Sequence, residues 1–399
     1  MNLAIVTTWF PAGGGYVSKA YRAVLEKENT VYIYARRGQK MKGDPIWDDE
    51  FVTWAPWGYN GIKTSHLIKW AKEKRIEVLF FNEQRYWKPV IALKKAGFTI
   101  GSYIDYYTQQ TVPAFEIYDF LICNTKRHYS VFKWHKGAHY IPWGTDTDKF
   151  NPLKKKIVRV PTFIISAGWQ GAKNLDRRGT LLAIEAFTKV KGNCKLIIYS
   201  QVKLEKCLPR WQKMIKSDIR IEFKFGTYDP FPYNEGDVYL YPSRLDGIGL
   251  TLPEALSSGL AAITTNNPPM NEFVTDGFNG VLVKVDRYLG RDDGYYWAES
   301  IVKKESLITA IEHYVNNREN LQIHKVNARK YAEQSLDWNK NAHNLSDIFN
   351  CNYDQKINMD NFFDQLISLD NAMSPSINFR IRSLLTTFYQ MIKNLVFGF

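Results

Sequence analysis

Asp237 to Leu260 reads DVYLYPSRLDGIGLTLPEALSSGL. Asp237 to Tyr241 is a short apolar run with strand character. Gly247 and Gly249 then form a turn where backbone can approach a ligand closely. Pro253 falls in the first turn of a predicted helix, and Gly259 sits where that helix stops. Strand, glycine turn and helix in succession are the repeating unit of a parallel α/β sheet. The turn presents bare N–H groups and a helix mouth, an arrangement that suits a diphosphate.

The same grammar extends in both directions. Upstream, Asn2 to Thr8 is a β-branched run ending in Trp9-Phe10-Pro11-Ala12-Gly13-Gly14-Gly15, with a helix expected from about Val17 to Lys27 and a strand at Val31 to Ala35. Further strands are read at Val78 to Asn82, Thr99 to Ile104, Phe120 to Asn124 and His139 to Pro142, with a helix around Lys126 to Trp134. A second series begins with the strand Thr162 to Ala167 and continues through a helix near Gly179 to Lys191. Its later strands are Lys195 to Ser200, Ile219 to Phe225, Ala261 to Thr265 and Val281 to Val283, and helical patterns follow at Leu307 to Val315 and Leu321 to Glu333. Two α/β units of similar size therefore join near residue 155. A ligand cleft between them, at the carboxyl ends of the strands, is the default site.

Composition agrees. The chain has 399 residues, 45% hydrophobic and 15% aromatic, which excludes global disorder. Its four cysteines, Cys123, Cys194, Cys207 and Cys351, are scattered, which argues against a disulfide scaffold or a zinc ribbon and fits a reducing compartment. No apolar run reaches about 18 residues, so no transmembrane helix is expected. Met1 to Pro11 reads as a strand and not as a signal peptide. The net charge of +13 favours anionic partners, whether nucleotide, nucleic acid or lipid.

Asp246 and Glu254 flank the glycine turn, one before it and one in the first helical turn. Two carboxylates so placed can accept hydrogen bonds from sugar hydroxyls. They can equally be a solvated turn acid and a solvated helix-start acid. The segment resembles the signature of family 4 retaining glycosyltransferases, roughly E-G-x-G-L-x-x-x-E-A-x-x-x-G. Here it reads Asp246-Gly247-Ile248-Gly249-Leu250, then Glu254-Ala255, then Gly259. Val274 to Val283 is similar to the strand-turn segment that follows in that family, and Ile141 to Pro152 to its interdomain linker. The resemblance covers about residues 2 to 350. It implies the GT-B fold: two Rossmann-like, doubly wound domains facing a cleft. Residues 1–152 would form the acceptor-side domain, residues 153–350 the donor-side domain, and residues 351–399 a helical tail.

The resemblance also implies roles. Glu254 would hold the ribose hydroxyls. Asp246 would hold the transferred sugar, although the family usually has Glu there. Gly247, Ile248, Gly249, Leu250 and Thr251 would cradle the nucleotide sugar. Arg178, before Gly179, stands where the family carries a Lys and would contact the phosphates. The second cation normally follows the first glycine of that loop; Trp169 occupies its place, so Lys173 or Arg177 would substitute. Such fixed cations stabilise charge on a departing diphosphate. Gly13, Gly14 and Gly15 face the same cleft by topology and would cover the donor or admit the acceptor. Glu83 and Asp105, each at a strand end, are candidate acceptor or sugar contacts. His128, His135 and His139 lie away from the family's histidine position and read as surface or structural residues. The acidic pair of Asp146-Thr147-Asp148 falls in the linker match, and the resemblance implies no metal and no other cofactor.

Past Asn350 the resemblance ends. Ile381, Leu384, Leu385, Phe388, Ile392, Leu395 and Phe399 recur at helical spacing with Arg380, Arg382 and Lys393. A basic amphipathic helix of this kind lies on an anionic membrane surface or packs back on the body. The leading expectation is a cytoplasmic enzyme, peripheral at the membrane's inner face, passing sugar from a nucleotide diphosphate sugar to a glycan or lipid-linked acceptor. Two alternatives keep the cleft. One changes the acceptor to hydroxylated bases of DNA, for which no nucleic-acid module is visible. The other is a non-catalytic nucleotide-sugar binding subunit, against which the intact motif argues.

Overall fold

A computed structural model describes residues 1–56, 62–82, 84, 86–152, 160–169, 176–353 and 360–373. The first domain carries a seven-stranded parallel sheet in the order β3-β2-β1-β4-β5-β6-β7. Its strands are β1 (Asn2–Thr8), β2 (Thr30–Arg37), β3 (Val52–Trp54), β4 (Val78–Phe81), β5 (Thr99–Tyr103), β6 (Phe120–Cys123) and β7 (Ala138–Tyr140). Helices α1 (Gly13–Leu25), α2 (Thr64–Glu73), α3 (Trp87–Lys95) and α4 (Lys126–Phe132) cover it. Leu3, Ala4, Ile5 and Val6 of β1 are all fully buried. A parallel strand covered on both faces has no polar side to show, so its sequence is continuously apolar.

The second domain repeats the plan with six parallel strands in the order β10-β9-β8-β11-β12-β13. These are β8 (Thr162–Gly168), β9 (Lys195–Ser200), β10 (Ile221–Phe225), β11 (Val238–Tyr241), β12 (Ala261–Thr265) and β13 (Gly280–Val283). Its helices are α5 (Thr180–Phe187), α6 (Pro209–Ser217), α7 (Thr251–Ser257), α8 (Lys304–Asn316) and α9 (Arg318–Ser335). Both sheets reverse strand order at their centre, which opens a crevice at the carboxyl ends. An antiparallel hairpin, β14 (Val285–Leu289) and β15 (Glu299–Val302), follows β13. The sequence reading has two doubly wound domains, and both are present.

The division at the C-terminal end differs from that reading. The chain crosses back to the first domain soon after α9, not at residue 350. In α10 (Trp338–Asn341), Trp338 packs against Tyr21 and Trp143 and donates its indole N–H to the Ala20 carbonyl at 2.9 Å. In α11 (Leu345–Asn350), Phe349 sits on Phe80 and Phe120 of the first sheet. Each such side chain contributes about 2–3 kcal/mol of burial, enough to direct the crossing. In α12 (Asp360–Met373), buried Asp370 accepts from the N–H groups of Trp87 and Lys88 at the start of α3. The amphipathic stretch from Ile381 to Phe399 lies outside the described residues. Among the described residues, no helix is long and apolar enough to cross a membrane.

Candidate functional site: the interdomain cleft

After β11 the chain turns at Gly247-Ile248-Gly249 and enters α7. Gly249 has φ of +88°, a left-handed conformation that glycine adopts without steric cost. Ile248 and Asp246 are buried. The N–H groups of Gly247, Ile248 and Gly249 make no hydrogen bond among the described residues. Donors left without a protein partner make this turn a candidate for an acceptor-rich group. Because α7 has only seven residues, the turn amides, more than a long helix dipole, supply the positive end.

The two acids are held by a ladder of tyrosines. Tyr241 and Ser243 both donate to Asp246 Oδ2, at 2.5 and 2.6 Å, and Arg177 approaches Oδ1 at 3.4 Å. Burial pushes the Asp246 pKa up, but Arg177, Arg178 and these hydroxyls outweigh it and hold the carboxyl below its usual range. Tyr233 donates to Glu254 Oε2 at 2.7 Å, and Tyr239 donates to Thr251 Oγ1 at 2.8 Å. Burial raises the Glu254 pKa to about 7, since a single phenol does not replace lost water. The tyrosines are absent from the motif reading. The period of two in Val238-Tyr239-Leu240-Tyr241, which puts both rings on one face, was the signal that could have found them.

Arg178 lies over the Tyr241 ring at 5.8 Å and donates to the Ser166 carbonyl at 3.0 Å. Nearby anionic and phenolic groups raise its pKa against the opposing effect of burial. Asp176 caps α5 by accepting from Thr180 and Leu181 N–H at 2.7 and 2.8 Å. That helix mouth is therefore occupied by its own carboxylate, which leaves Arg177 and Arg178 as the candidate cations of this loop. Lys173 lies outside the described residues, as does Glu83.

The first domain meets this turn across the cleft. Gly13, Gly14 and Gly15 belong to the first turn of α1, which starts four residues before the expected Val17. They are helix, not an open loop, because Gly15 packs directly on the Phe10 backbone. Asp105 follows β5 at the cleft, and its carbonyl accepts from Tyr295 at 3.0 Å. Tyr295 stacks on Tyr106, and Tyr296 N–H bonds the Tyr107 carbonyl at 2.9 Å, so the loop of the β14–β15 hairpin straps the two domains together. At another edge of the cleft, Tyr16 and Lys149 converge on Asp229.

His128 is not a surface residue. It is fully buried at the cleft, with Nε2 at 3.1 Å from the Gly247 carbonyl. Arg127 beside it donates to the Asp246 and Pro268 carbonyls, and Glu272 accepts from the N–H groups of Lys126 and Arg127. The place of Lys126-Arg127-His128 just past the end of β6 was the available signal, since that end faces the cleft. Asp146 Oδ1 accepts from the N–H groups of Asp148 and Lys149, which makes Asp146-Thr147-Asp148 a turn in the linker. Among the described residues, no group of three His, Cys, Asp or Glu side chains is placed to hold a metal ion.

Two doubly wound domains facing a cleft define the GT-B architecture. Residues 172–288 match the family model described as glycosyl transferases group 1. A glycosyltransferase from Rickettsia africae superimposes with a TM-score of 0.68 at 14% identity, over 88% of this chain and 99% of that one. HepE from Anabaena, solved with UDP and glucose, gives 0.66 at 15% over 88% and 99%. The pneumococcal O-GlcNAc transferase GtfA, solved with UDP and GlcNAc, gives 0.65 at 14% over 88% and 99%. These identities establish the fold. No curated protein matches the chain in sequence. The family match and the fold together support a glycosyltransferase of the GT-B type.

Proposed function

We propose that the protein is a retaining glycosyltransferase that passes a sugar from a nucleotide diphosphate sugar to a hydroxyl of a glycan or lipid-linked acceptor. The observation that carries this reading is the turn at Gly247-Ile248-Gly249. Its unspent amides lie between Asp246 and Glu254, with Arg178 in the neighbouring loop before α5. The diphosphate accepts from those amides and from Arg178, the ribose hydroxyls donate to Glu254, and the sugar lies toward Asp246. The acceptor hydroxyl enters from the first domain and attacks on the face the diphosphate leaves. A diphosphate oxygen takes its proton, so the chain positions reactants and stabilises charge without a protein nucleophile. UDP is the first nucleotide to try, because HepE and GtfA were solved with it.

A panel of nucleotide sugars read by thermal shift tests this. The true donor at about 100 times its dissociation constant stabilises the fold by about 2.7 kcal/mol. Glu254→Ala weakens that donor; unchanged affinity removes the ribose assignment. Proton NMR of the product's anomeric centre decides retention against inversion.

A further inference from the structure

Two consecutive carbonyls of the donor turn are held from the opposite domain. Arg127 donates to the carbonyl of Asp246, and His128 Nε2 lies 3.1 Å from that of Gly247. In a trans peptide the C=O and the following N–H point in opposite directions. Fixing these two carbonyls toward α4 therefore fixes the N–H groups of Gly247 and Ile248 away from it. Those are the amides that make no hydrogen bond among the described residues.

The proton positions in this contact follow from chemistry. A carbonyl oxygen only accepts, so His128 Nε2 carries the hydrogen. Nδ1 is then an acceptor, and Tyr107, whose hydroxyl is 2.9 Å away, donates to it. The Tyr107 oxygen in turn accepts from the Trp297 indole N–H at 2.6 Å. The chain runs one way, Trp297 to Tyr107 to His128 to Gly247. It starts on the hairpin of the second domain, passes through the first, and ends on the donor turn. Burial and the adjacent Arg127 lower the His128 pKa to about 3, so the imidazole is neutral, as this chain requires.

We propose that His128, oriented by Tyr107 and Trp297 and seconded by Arg127, is a positioning residue that aims the turn amides at the donor diphosphate. The proposal rests on the donor reading given above. It assigns the first domain a part in donor binding, besides any acceptor role. It also gives the hairpin a purpose: docking of Tyr295 and Tyr296 sets Trp297 at the head of the chain.

The test compares wild type, His128→Ala, His128→Gln and Tyr107→Phe as full-length proteins. UDP and uridine are titrated into each, by calorimetry and by ligand-observed NMR, which reads weak binders. Inorganic pyrophosphate serves as a base-independent probe. His128→Ala binds UDP and pyrophosphate about tenfold more weakly and leaves uridine within twofold. His128→Gln, whose amide N–H reaches the same carbonyl, stays within about threefold of wild type. Tyr107→Phe falls between, and it remains informative if His128→Ala fails to fold. Equal losses for UDP and uridine would mean a general structural role and overturn the proposal. So would unchanged UDP and pyrophosphate affinity in His128→Ala, or a Gln variant no better than Ala. Wild type that binds neither UDP nor pyrophosphate overturns the donor reading itself, whereas wild type that binds pyrophosphate but not UDP corrects only the base.

Discussion

The β1–α1 turn and the β11–α7 turn each follow a central strand of their sheet and both carry glycines, yet those glycines have different surroundings. In the first, Gly15 lies so close to Phe10 that an added Cβ would come within 2.1 Å of its carbonyl oxygen. Asn82 donates to the Gly14 carbonyl at 2.9 Å, and Tyr16 N–H returns to Ala12. Its carbonyls are spent on packing and helix, while the N–H groups of Gly13, Gly14 and Gly15, at the start of α1, make no hydrogen bond among the described residues. In the second, a Cβ on Gly249 would find its nearest neighbours at 3.6 Å or more, and the turn amides make no hydrogen bond among the described residues. Gly15 thus serves close chain contact, and Gly249 serves a left-handed turn with open space beside it. A run of glycines says only that backbone must come close to something or turn sharply; the surroundings of each glycine say which.

Substitution breaks the comparison most sharply at Gly15. Gly15→Ala forces the backbone of Phe10 aside and costs about 3 kcal/mol of stability. The loss appears in urea unfolding, and UDP affinity of the folded fraction stays near wild type. A folded Gly15→Ala protein that loses UDP binding instead would return a ligand role to the first turn.

The open turn carries its own cost, and Glu254 makes it visible through pH. Its folded pKa of about 7 lies above the ordinary value of 4.5. Between those values the folded state holds a proton that the unfolded state has released, so stability falls as pH rises through the window and levels off above it. Glu254→Gln imitates the protonated form. It matches wild type near pH 4 and exceeds it by up to about 3 kcal/mol near pH 8. Thermal unfolding across pH 4–8 checks this; parallel curves for the two proteins would show that Glu254 is well solvated. Nucleotide binding moves the opposite way, since ribose hydroxyls donate best to the carboxylate, and so it strengthens as pH rises toward 8.

Gly249→Ala is gentler on the fold and harsher on the ligand. The left-handed φ costs a side chain about 1–2 kcal/mol, and relief of that strain tilts the turn amides. UDP affinity falls by about tenfold while the unfolding midpoint moves modestly. Equal binding in wild type and variant would separate the turn from the diphosphate.

How much of this was open to reading depends on how local the cause is. Strands β1, β8, β9 and β12 announce themselves by apolar runs, and Pro253 and Gly259 bracket α7, because strand burial and helix ends are set within a few residues. The spacing of Asp246 and Glu254 is likewise local. Helices α2 and α3, strand β3 and the hairpin lie beyond that reading, since only packing on the sheet stabilises them. The return of Trp338 and Phe349 to the first domain depends on surfaces hundreds of residues upstream. His128 is the clearest case. It reads as a structural residue because its partner, Gly247, is remote in sequence, and only the closing of two domains brings them together.

The hairpin supplies the smallest and most discriminating change. Tyr295 stacks on Tyr106 with ring centroids 5.3 Å apart and donates to the Asp105 carbonyl. Tyr295→Phe keeps the ring and removes only the hydroxyl, a loss of about 1 kcal/mol at most in this half-buried setting. Tyr295→Ala removes the stacking as well, for about 1 kcal/mol more. Among the described residues, no hydrogen bond or ring contact links Tyr295 to the donor turn. If the strap acts through the Trp297–Tyr107–His128 chain, UDP affinity falls in step with strap loss, by about twofold in Phe and about fivefold in Ala, while the isolated nucleoside is indifferent. If the strap merely holds two domains together, uridine and UDP weaken alike. The same pair of titrations that tests the open turn thus tells whether its amides are aimed by the strand they follow or by the domain they face.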